Sequence, residues 1–494
     1  MASARAGAPL LLRAVGWRQA ARGGGRRQRL STCAASLRPL EANIRLGLQA
    51  RLAGLQQWTE GPPRVAVAGR HSAEFAAALR AARAAGAVAV PVDARRCGQD
   101  DLMERFAEAQ VQMAVTAGAP GAEAATVQEA ARLLAAPTAS ARALHGEGLG
   151  AAAPATPEGE PSCDAPPLLL FSTRPDNHVA RAAEVPHRAV SARVAAAMRL
   201  WGFTEGDTVL SLGLPADEPA SIVDTLEAPL AAGARVTIPE LGHAAEGEVW
   251  DMWAALLAEE EATVLFVASE WCQKLLLAHT KLAGSVRAEL ATRWAKRPFR
   301  HTVAIAPRGT ALSVDLSDRW AKAFGCPLTW HFSCAEAGAL LTVRSSAEGP
   351  EAWAHEGRCA EGLTWRVEDD ELWVSGDSLF ERYHGRPRST EEAFRAEDGF
   401  CRTFHRVAAG SGPDGLLPLP ALAEVELEKL TDSAMYKGPE TRIGPGMMPT
   451  WKVKKVPIRV YDTWRTAWGG LDVTKKTTTV HKLYLPKYKK RRKL

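Results

Sequence analysis

The sequence predicts an α/β fold of mostly parallel sheets covered by helices. Short apolar segments alternate with helical patterns along the middle of the chain, beginning with strands at residues 64–68 and 88–92. Between them, Ser72 is placed to begin a helix and Gly86 to end it. Strands that alternate with helices in this way are typical of parallel sheets covered on both faces.

The same alternation returns further along the chain. Helices are predicted near residues 220–232, from Ser269, and over residues 313–324. The corresponding strands are predicted at residues 208–212, 236–238, 264–267 and 303–305. With 494 residues, 46% of them hydrophobic and 24% charged, the chain is long enough to bury a large core divided into two or three subdomains.

Cysteine and histidine usage excludes several classes of protein. The eight cysteines are scattered without a Cys-x-x-Cys pair, and the twelve histidines form no cluster with ligand spacing. This distribution argues against a zinc site and a disulfide scaffold, and it favours a reducing compartment. The chain has no apolar run of membrane-spanning length. The sequence therefore predicts no metal site and no transmembrane segment.

One segment, residues 168–190, has the pattern of a phosphate-binding loop without its glycines. A predicted strand at 168–171 is followed by Ser172 and Thr173, and a helix is predicted to begin near His187. This segment resembles the Ser/Thr/Gly-rich loop of the adenylate-forming enzymes, the acyl-CoA synthetase superfamily. In such loops glycines let backbone N–H groups approach phosphate closely. Here Asp176 would repel a triphosphate instead.

The resemblance recurs in order over about residues 60–430. Residues 64–93, 330–342 and 371–400 are similar to three further segments of the superfamily, with an order and spacing most like mitochondrial malonyl-CoA-type synthetases. The resemblance implies the superfamily's large N-terminal domain of stacked, mostly parallel sheets. It also implies that the small C-terminal lid, which carries the catalytic lysine, is replaced here by a basic tail.

The superfamily's functional positions are only partly kept. Glu336 stands where the superfamily has a magnesium-binding glutamate, and Arg402 and Thr403 begin a motif whose Gly-Asp is replaced by Phe404 and His405. The resemblance therefore implies no catalytic residue, and ATP and magnesium only if residual activity persists. The positions interpreted as remnants of the superfamily motifs are Ser172, Thr173, Glu336, Arg402 and Thr403.

Charge divides the chain into regions. Residues 1–40 contain eight arginines and no acid, which is typical of a mitochondrial transit peptide, although a basic binding arm has the same composition. Residues 41–430 are predicted to form the synthetase-like domain, and residues 120–167 within it to form an Ala/Pro/Gly-rich insertion or linker. Residues 431–494 contain sixteen lysines and arginines against four acids and form the basic tail.

The tail alternates cations with aromatic residues, which predicts an extended arm on a polyanion. Cations neutralise phosphates, and aromatic rings stack on exposed bases. The candidate RNA-binding residues are Lys452, Lys454, Lys455, Arg459, Trp464, Arg465, Trp468, Lys475, Lys476, Lys482, Lys487, Lys489, Lys490, Arg491, Arg492 and Lys493. A solvated tail, a nuclear signal or binding to anionic lipid are alternatives for the same composition.

The missing glycines and the basic tail together favour a non-catalytic pseudoenzyme. We expect a structural component of an assembly in the mitochondrial matrix, most simply the mitochondrial ribosome, with the tail on rRNA and the body against neighbouring proteins. One alternative is a subunit of a respiratory-chain or ATP-synthase complex. Another is a divergent ATP-dependent acid–CoA ligase. An ATP–pyrophosphate exchange assay separates the last from the other two.

Overall fold

The chain forms two large sheets, a three-stranded sheet and a two-stranded hairpin. The computed structural model describes residues 31–32, 34–56, 62–118, 121–150, 168–174, 177–239, 245–282, 284–306, 314–344, 356–369, 371–394, 398–406, 416–418, 453–460 and 476–483. Within these ranges, no helix combines the length and the apolar character that crossing a membrane requires.

The seven-stranded sheet is parallel except at one edge. Its strands are β2 Arg64–Gly69, β3 Val88–Asp93, β4 Met113–Ala117, β5 Thr138–Ser140, β6 Leu168–Arg174, β7 Asn177–Val185 and β17 Arg382–Tyr383. They lie in the spatial order β17-β7-β6-β3-β2-β4-β5, and only β7 and β17 run antiparallel to their neighbours. The helices from this half of the chain are α1 Ala34–Gln56, α2 Ala73–Ala84, α3 Gln99–Glu108, α4 Gly121–Leu133 and α5 Ala141–Gly150.

The nine-stranded sheet has a parallel centre and antiparallel edges. Its strands are β1 Ser31–Thr32, β8 Thr208–Leu212, β9 Arg235–Thr237, β10 Val264–Ala268, β11 His301–Ala306, β12 Leu328–Cys334, β13 Gly338–Arg344, β14 Glu356–Cys359 and β19 Leu416–Pro418. The spatial order is β1-β9-β8-β10-β11-β12-β13-β14-β19. The five neighbouring strands β9, β8, β10, β11 and β12 are parallel. The two large sheets confirm the predicted α/β fold class.

The remaining elements cover or extend the large sheets. The three-stranded sheet consists of β15 Thr364–Glu368, β16 Glu371–Ser375 and β18 Cys401–Arg406. The further helices are α6 His187–Trp201, α7 Pro219–Ile222, a π-helix at Val223–Glu227, α8 Ala228–Ala231, α9 Ala245–Ala258, α10 Ser269–Lys281, α11 Gly284–Lys296, α12 Val314–Phe324 and α13 Pro387–Ala393.

Both faces of the seven-stranded sheet are buried, as its apolar strands predict. Along β2, Val65 and Val67 join a core that continues into the nine-stranded sheet, while Ala66 and Ala68 face a smaller cluster formed with α3 and α4. Successive side chains of a strand point to opposite faces, so a strand buried on both sides must be apolar throughout. The larger core therefore holds the two sheets together.

Several predicted boundaries are confirmed. The Ser72 hydroxyl accepts a hydrogen bond from the Phe75 N–H at 3.1 Å and caps α2. Helix α6 begins at His187, as expected, and ends at Gly202, whose φ of 56° is the left-handed conformation that glycine adopts readily. Helix α10 begins at Ser269.

The prediction of an insertion or linker over residues 120–167 is wrong for residues 121–150. Residues 121–150 form α4, β5 and α5, and β5 is the edge strand of the seven-stranded sheet. The weak periodicity arose because the buried face of α4 consists of Val127, Ala130 and Ala131, whose small side chains give little hydrophobic contrast. Residues 151–167 lie outside the described residues.

The predicted boundary of the transit peptide at residue 40 lies inside α1. Leu37 of this helix is buried in the large core, and β1 pairs with β9 through Ser31 and Thr237. The folded domain therefore begins before residue 40. Residues 1–30 lie outside the described residues.

Within the basic tail, two segments pair with each other instead of forming a single extended arm. Strand β20 Val453–Val460 runs antiparallel to β21 Lys476–Leu483, from the pair Val453 and Leu483 to the pair Val460 and Lys476. Valine, isoleucine and threonine are frequent in both strands, and β-branched residues favour strand conformation.

Candidate functional site

The segment predicted to be a degraded phosphate loop forms a β-hairpin. Strands β6 and β7 pair from Leu168 and Val185 to Arg174 and Asn177, with a shift of register between Ser172 and Arg174. Without glycine, the segment lacks the conformational freedom that a loop wrapping phosphate requires, and its apolar residues can extend the sheet. Ser172 and Arg181 are directly opposite each other in this hairpin and therefore lie on the same face.

Glu336 lies in the tight turn between β12 and β13, opposite the end of the hairpin. It is fully buried, with 0% of its surface exposed. The Ala337 N–H approaches the Cys334 sulfur at 3.3 Å, and Gly338 has a left-handed φ of 75°, which together close the turn. The turn therefore directs an acidic side chain inward.

Two hydroxyl groups converge on the carboxylate of Glu336. The Ser172 Oγ donates a hydrogen bond to Oε1, and the Tyr383 Oη donates to the same oxygen at 2.7 Å. The backbone carbonyl of Glu336 accepts the Phe380 N–H at 2.7 Å. Three parts of the chain, the hairpin, the turn and the segment around β17, thus meet at one carboxylate.

Arg181 is a site residue that sequence reasoning missed. Its side chain is 7% exposed, and among the described residues its Nε and Nη1 atoms have no hydrogen-bond acceptor. Its guanidinium lies 5.8 Å from the centre of the Tyr383 ring. The signal in the sequence was a single arginine within the otherwise apolar residues 179–183. A buried cation without acceptors is costly, so its N–H groups are suited to an anionic ligand.

A second buried arginine, Arg193 of α6, lies against the same turn. Its Nε donates to the Ser378 carbonyl and its Nη2 to the Ala335 carbonyl, each at 2.9 Å. Burial lowers the pKa of Arg193 to about 10, while the nearby Cys334 and Glu336 act in the opposite direction. The group remains a cation at neutral pH.

Of the five residues predicted as motif remnants, the structure brings two together. Ser172 and Glu336 are hydrogen-bonded, and Thr173 follows Ser172 on β6. Arg402 instead pairs with Glu371, at 2.7 Å from Nη2 to Oε1, and the Thr403 hydroxyl donates to the Leu372 carbonyl at 2.8 Å. These two contacts stabilise the three-stranded sheet.

Phe404, which replaces the glycine of the superfamily motif, has a left-handed backbone. Its φ is 58°, in the left-handed region, which costs a residue with a Cβ atom about 1–2 kcal/mol. Its ring lies 4.7 Å from the Arg402 guanidinium. A backbone conformation that glycine adopts readily is therefore occupied here by a phenylalanine.

The candidate RNA-binding residues are only partly covered by the structure. Lys454, Lys455 and Arg459 lie on β20, and Lys476 and Lys482 on β21. The others lie outside the described residues: Lys452, Trp464, Arg465, Trp468, Lys475, Lys487, Lys489, Lys490, Arg491, Arg492 and Lys493. Binding of the tail to an anionic partner, whether rRNA, lipid or protein, stays a prediction.

Comparison with known proteins shows what the α/β body is similar to. Residues 180–384 match the family model described as AMP-binding enzyme. The chain is 24% identical over 265 residues to the malonate–CoA ligase ACSF3, mitochondrial, of Mus musculus, covering 48% of this chain and 44% of that protein. It is 27% identical over 358 residues to the phenyloxazoline synthase MbtB of a Mycobacterium species, covering 69% of this chain and 27% of that protein. The match thus spans less than half the length of each relative.

The structural neighbours share the same fold. A malonyl-CoA ligase with methylmalonyl-CoA and AMP bound superposes with a TM-score of 0.58 and 22% identity, over 85% of this chain and 83% of that one. MatB of Rhodopseudomonas palustris with ATP bound gives a TM-score of 0.60 and 17% identity, over 85% and 80% of the two chains.

These findings correct the function that the sequence pattern favoured. A structural subunit of the mitochondrial ribosome, or of a respiratory-chain or ATP-synthase complex, is contradicted, because the family model and the relatives are ligases, synthases and AMP-binding enzymes. The comparisons give no support to a pseudoenzyme or to RNA binding, and they agree better with the alternative of a divergent ligase. Residues 180–384, which lie within the α/β body, match the AMP-binding enzyme family model.

Proposed function

We propose that this chain is a divergent ATP-dependent acid–CoA ligase. The observation that carries the proposal is the buried Arg181, whose Nε and Nη1 have no acceptor among the described residues. It lies beside Tyr383 and across the hairpin from Ser172, both of which hold Glu336. A cation for an anionic group and a carboxylate therefore occur in one buried site.

The proposed reaction has two steps. A carboxylate oxygen of the acid attacks the α-phosphorus of ATP, the bond to the β-phosphate oxygen breaks, and pyrophosphate leaves with that electron pair. The thiolate of coenzyme A then attacks the acyl carbonyl and AMP leaves. Arg181 would donate its N–H groups to phosphate oxygens, where negative charge increases during the first step. Because these donors are already in place, little reorganisation accompanies the reaction.

The residues present fit a magnesium ion that enters with ATP. Magnesium is commonly held by one or two carboxylates together with substrate phosphates. Within the described ranges, no group of three or more acidic, histidine or cysteine side chains could form a metal site by itself. Glu336, oriented by two hydroxyl donors, would supply one carboxylate. The ion would neutralise phosphate charge.

The acid is proposed to be a short dicarboxylic acid. Two of the similar proteins are named for malonate or malonyl-CoA, and one of them is described with methylmalonyl-CoA bound. The identities of 24% and 22% support a class of substrate for testing and no single compound. Malonate, methylmalonate, succinate, acetate and a medium-chain fatty acid form a suitable panel.

The test is acid-dependent exchange of labelled pyrophosphate into ATP by the full-length protein. We expect exchange with at least one acid, and a decrease of about a hundredfold for Arg181→Gln, since loss of one preorganised donor commonly has that effect. Arg181→Lys should retain more activity. The matched control is Arg188→Gln, whose side chain is 67% exposed on α6. Exchange that is absent with every acid, or equal in Arg181→Gln and the wild type, would refute the proposal.

We further propose that the protein acts in the mitochondrial matrix. Residues 1–30 contain seven of the arginines of the acid-free N-terminus, and the relative from Mus musculus is named as mitochondrial. Because Leu37 belongs to the core, removal of a leader should end before α1 begins at Ala34. Residues 1–30 fused to a fluorescent protein should enter mitochondria, and the N-terminus of the imported enzyme should lie before residue 34. A cytosolic fusion would contradict this.

A further inference from the structure

We propose that Arg193 is a positioning residue that holds the Glu336 turn, residues 334–338, against the loop leading to Tyr383. The role of that turn in catalysis rests on the function proposed above, whereas the contacts of Arg193 do not. The side chain is 3% exposed and comes from α6, which packs against β13. Its position allows it to reach two loops at once.

The guanidinium of Arg193 bridges the two loops through backbone carbonyls. One bond goes to Ala335, the residue preceding Glu336, and the other to Ser378, five residues before Tyr383. Because both acceptors belong to the backbone, these bonds restrain the course of the chain itself. The Phe380 N–H adds a third link, to the carbonyl of Glu336. The carboxylate and the Tyr383 hydroxyl that contacts it are thus set by the same arginine.

The turn is shaped around the stem of Arg193. A Cβ atom at Gly338 would lie 2.8 Å from the Arg193 Cδ, too close for any side chain at that position without a shift. Glycine therefore serves two needs at Gly338, the left-handed backbone and the close approach of the arginine. A methionine or glutamine at position 193 would fill the space and lose the fork of donors.

The electrostatic surroundings support the same role. A buried guanidinium is costly unless it is hydrogen-bonded and lies near opposite charge. Two carbonyls satisfy two of its donors, Nη1 has no acceptor among the described residues, and Glu336 provides favourable charge. Burying the Arg193 guanidinium costs free energy, and we attribute its presence to its effect on the position of Glu336.

The first experiment measures the turn without using activity. Cys334 is 2% exposed and its sulfur accepts the Ala337 N–H inside the turn, so its alkylation rate reports on local opening. In Arg193→Gln we expect iodoacetamide to alkylate Cys334 at least about tenfold faster, since loss of a single charge-assisted bond already corresponds to a change of that size. Cys272, 0% exposed on α10, serves as the internal reference for global unfolding. Peptide mass spectrometry assigns each modified thiol.

The outcomes separate local from global effects. Faster alkylation of Cys334 with an unchanged Cys272 supports the proposal, and Arg199→Gln, at an exposed position of the same helix, should match the wild type. Equal rates in Arg193→Gln and the wild type would overturn it, as would parallel increases at both cysteines. If Arg193→Gln does not fold, Arg193→Lys keeps the charge and loses the fork, and should show the same selectivity to a smaller degree.

The second experiment is a double-mutant cycle on pyrophosphate exchange. We expect Arg193→Gln to lower kcat by about ten- to a hundredfold with little change in the KM for the acid. In the background of Glu336→Gln, the same substitution should have almost no further effect, because Arg193 acts through Glu336. Additive losses would show that Arg193 has only a structural role. If the wild-type protein lacks exchange activity, the proposed ligase function fails, while the alkylation experiment still tests the positioning of the turn.

Discussion

Asp93 and Glu336 are two fully buried carboxylates at the junction of the two large sheets, and their surroundings differ. Asp93 ends β3 and accepts hydrogen bonds from the Arg95 N–H at 2.9 Å, the Arg95 Nη2 at 3.0 Å and the Ala216 N–H at 2.9 Å. Burial alone would raise its pKa, but the Arg95 guanidinium and the N–H donors hold the pKa of Asp93 below its ordinary value. Asp93 is therefore an ionised, fully paired link between the sheets.

Glu336 is contacted by neutral hydroxyls, whereas two nearby arginines keep N–H groups without an acceptor among the described residues. The comparison teaches that burial does not distinguish a structural carboxylate from a functional one. The two sites differ in whether the neighbouring N–H donors already have hydrogen-bond acceptors. Around Asp93 they stabilise the fold, and around Arg181 they remain free to bind an anion.

The largest expected effect is on stability at Asp93. Asp93→Asn should lower the free energy of unfolding by about 3–5 kcal/mol, because Arg95 loses its buried partner. Glu336→Gln should cost less, about 1–2 kcal/mol, since an amide oxygen can still accept from both hydroxyls and Arg193, which loses the nearby negative charge, keeps both of its carbonyl acceptors. Urea denaturation followed by circular dichroism measures both. Equal losses for the two variants would remove the distinction between the carboxylates.

The next effect is a pH dependence near Asp93. Burial, with Arg95 nearby, lowers the pKa of His71 from 6.5 to about 4, so the folded protein holds it neutral while the unfolded chain takes up a proton. Stability should therefore fall as the pH drops below about 6.5, by about 2 kcal/mol between pH 7.5 and pH 5. His71→Gln should remove this component of the pH dependence. His187→Gln, at the start of α6, is the control, and identical curves for His71→Gln and the wild type would contradict the expectation.

A smaller effect is expected at the hydroxyl that contacts Glu336. Tyr383→Phe keeps the ring against Phe380, at 4.7 Å between ring centres, and removes one donor. We expect a loss of about 1 kcal/mol, the ordinary value for one hydrogen bond. Thermal and urea unfolding should agree on the size. A loss as large as that of Asp93→Asn would mean that Glu336 contributes to the stability of the fold as strongly as Asp93 does.

The smallest effect on stability is expected at Arg181. Arg181→Met should change the free energy of unfolding by no more than about 1 kcal/mol, and with either sign, because a buried cation whose Nε and Nη1 lack acceptors among the described residues is exchanged for a matching apolar side chain. Arg95→Met should be clearly destabilising, since it leaves the buried Asp93 carboxylate without its cationic partner. A loss of several kcal/mol in Arg181→Met would assign Arg181 to the structure and weaken its proposed role with phosphate.

Much of the fold could be predicted from local patterns. The strands at residues 208–212 and 264–268 and the cap at Ser72 follow from apolar runs and a side-chain acceptor, and the helix start at His187 follows from the resemblance to the superfamily. The helices over residues 121–150 could not be predicted from the sequence pattern, because alanine-rich faces give almost no hydrophobic contrast. Their burial depends on partners that are distant in the sequence.

Local sequence patterns predicted even less of the candidate site than of the fold. The sequence by itself determined that the glycines of the phosphate loop and the Gly-Asp of the superfamily motif are changed, that Ser172 and Glu336 are kept, and that the chain builds an α/β body. Only the tertiary structure decided that Arg181 lies beside Tyr383 and that Arg193 contacts the Glu336 turn, because these contacts join residues more than a hundred positions apart. The sequence determines the chemistry of each side chain. The packing of the two sheets determines which buried N–H donors lack an acceptor, and those donors distinguish the candidate site from the core.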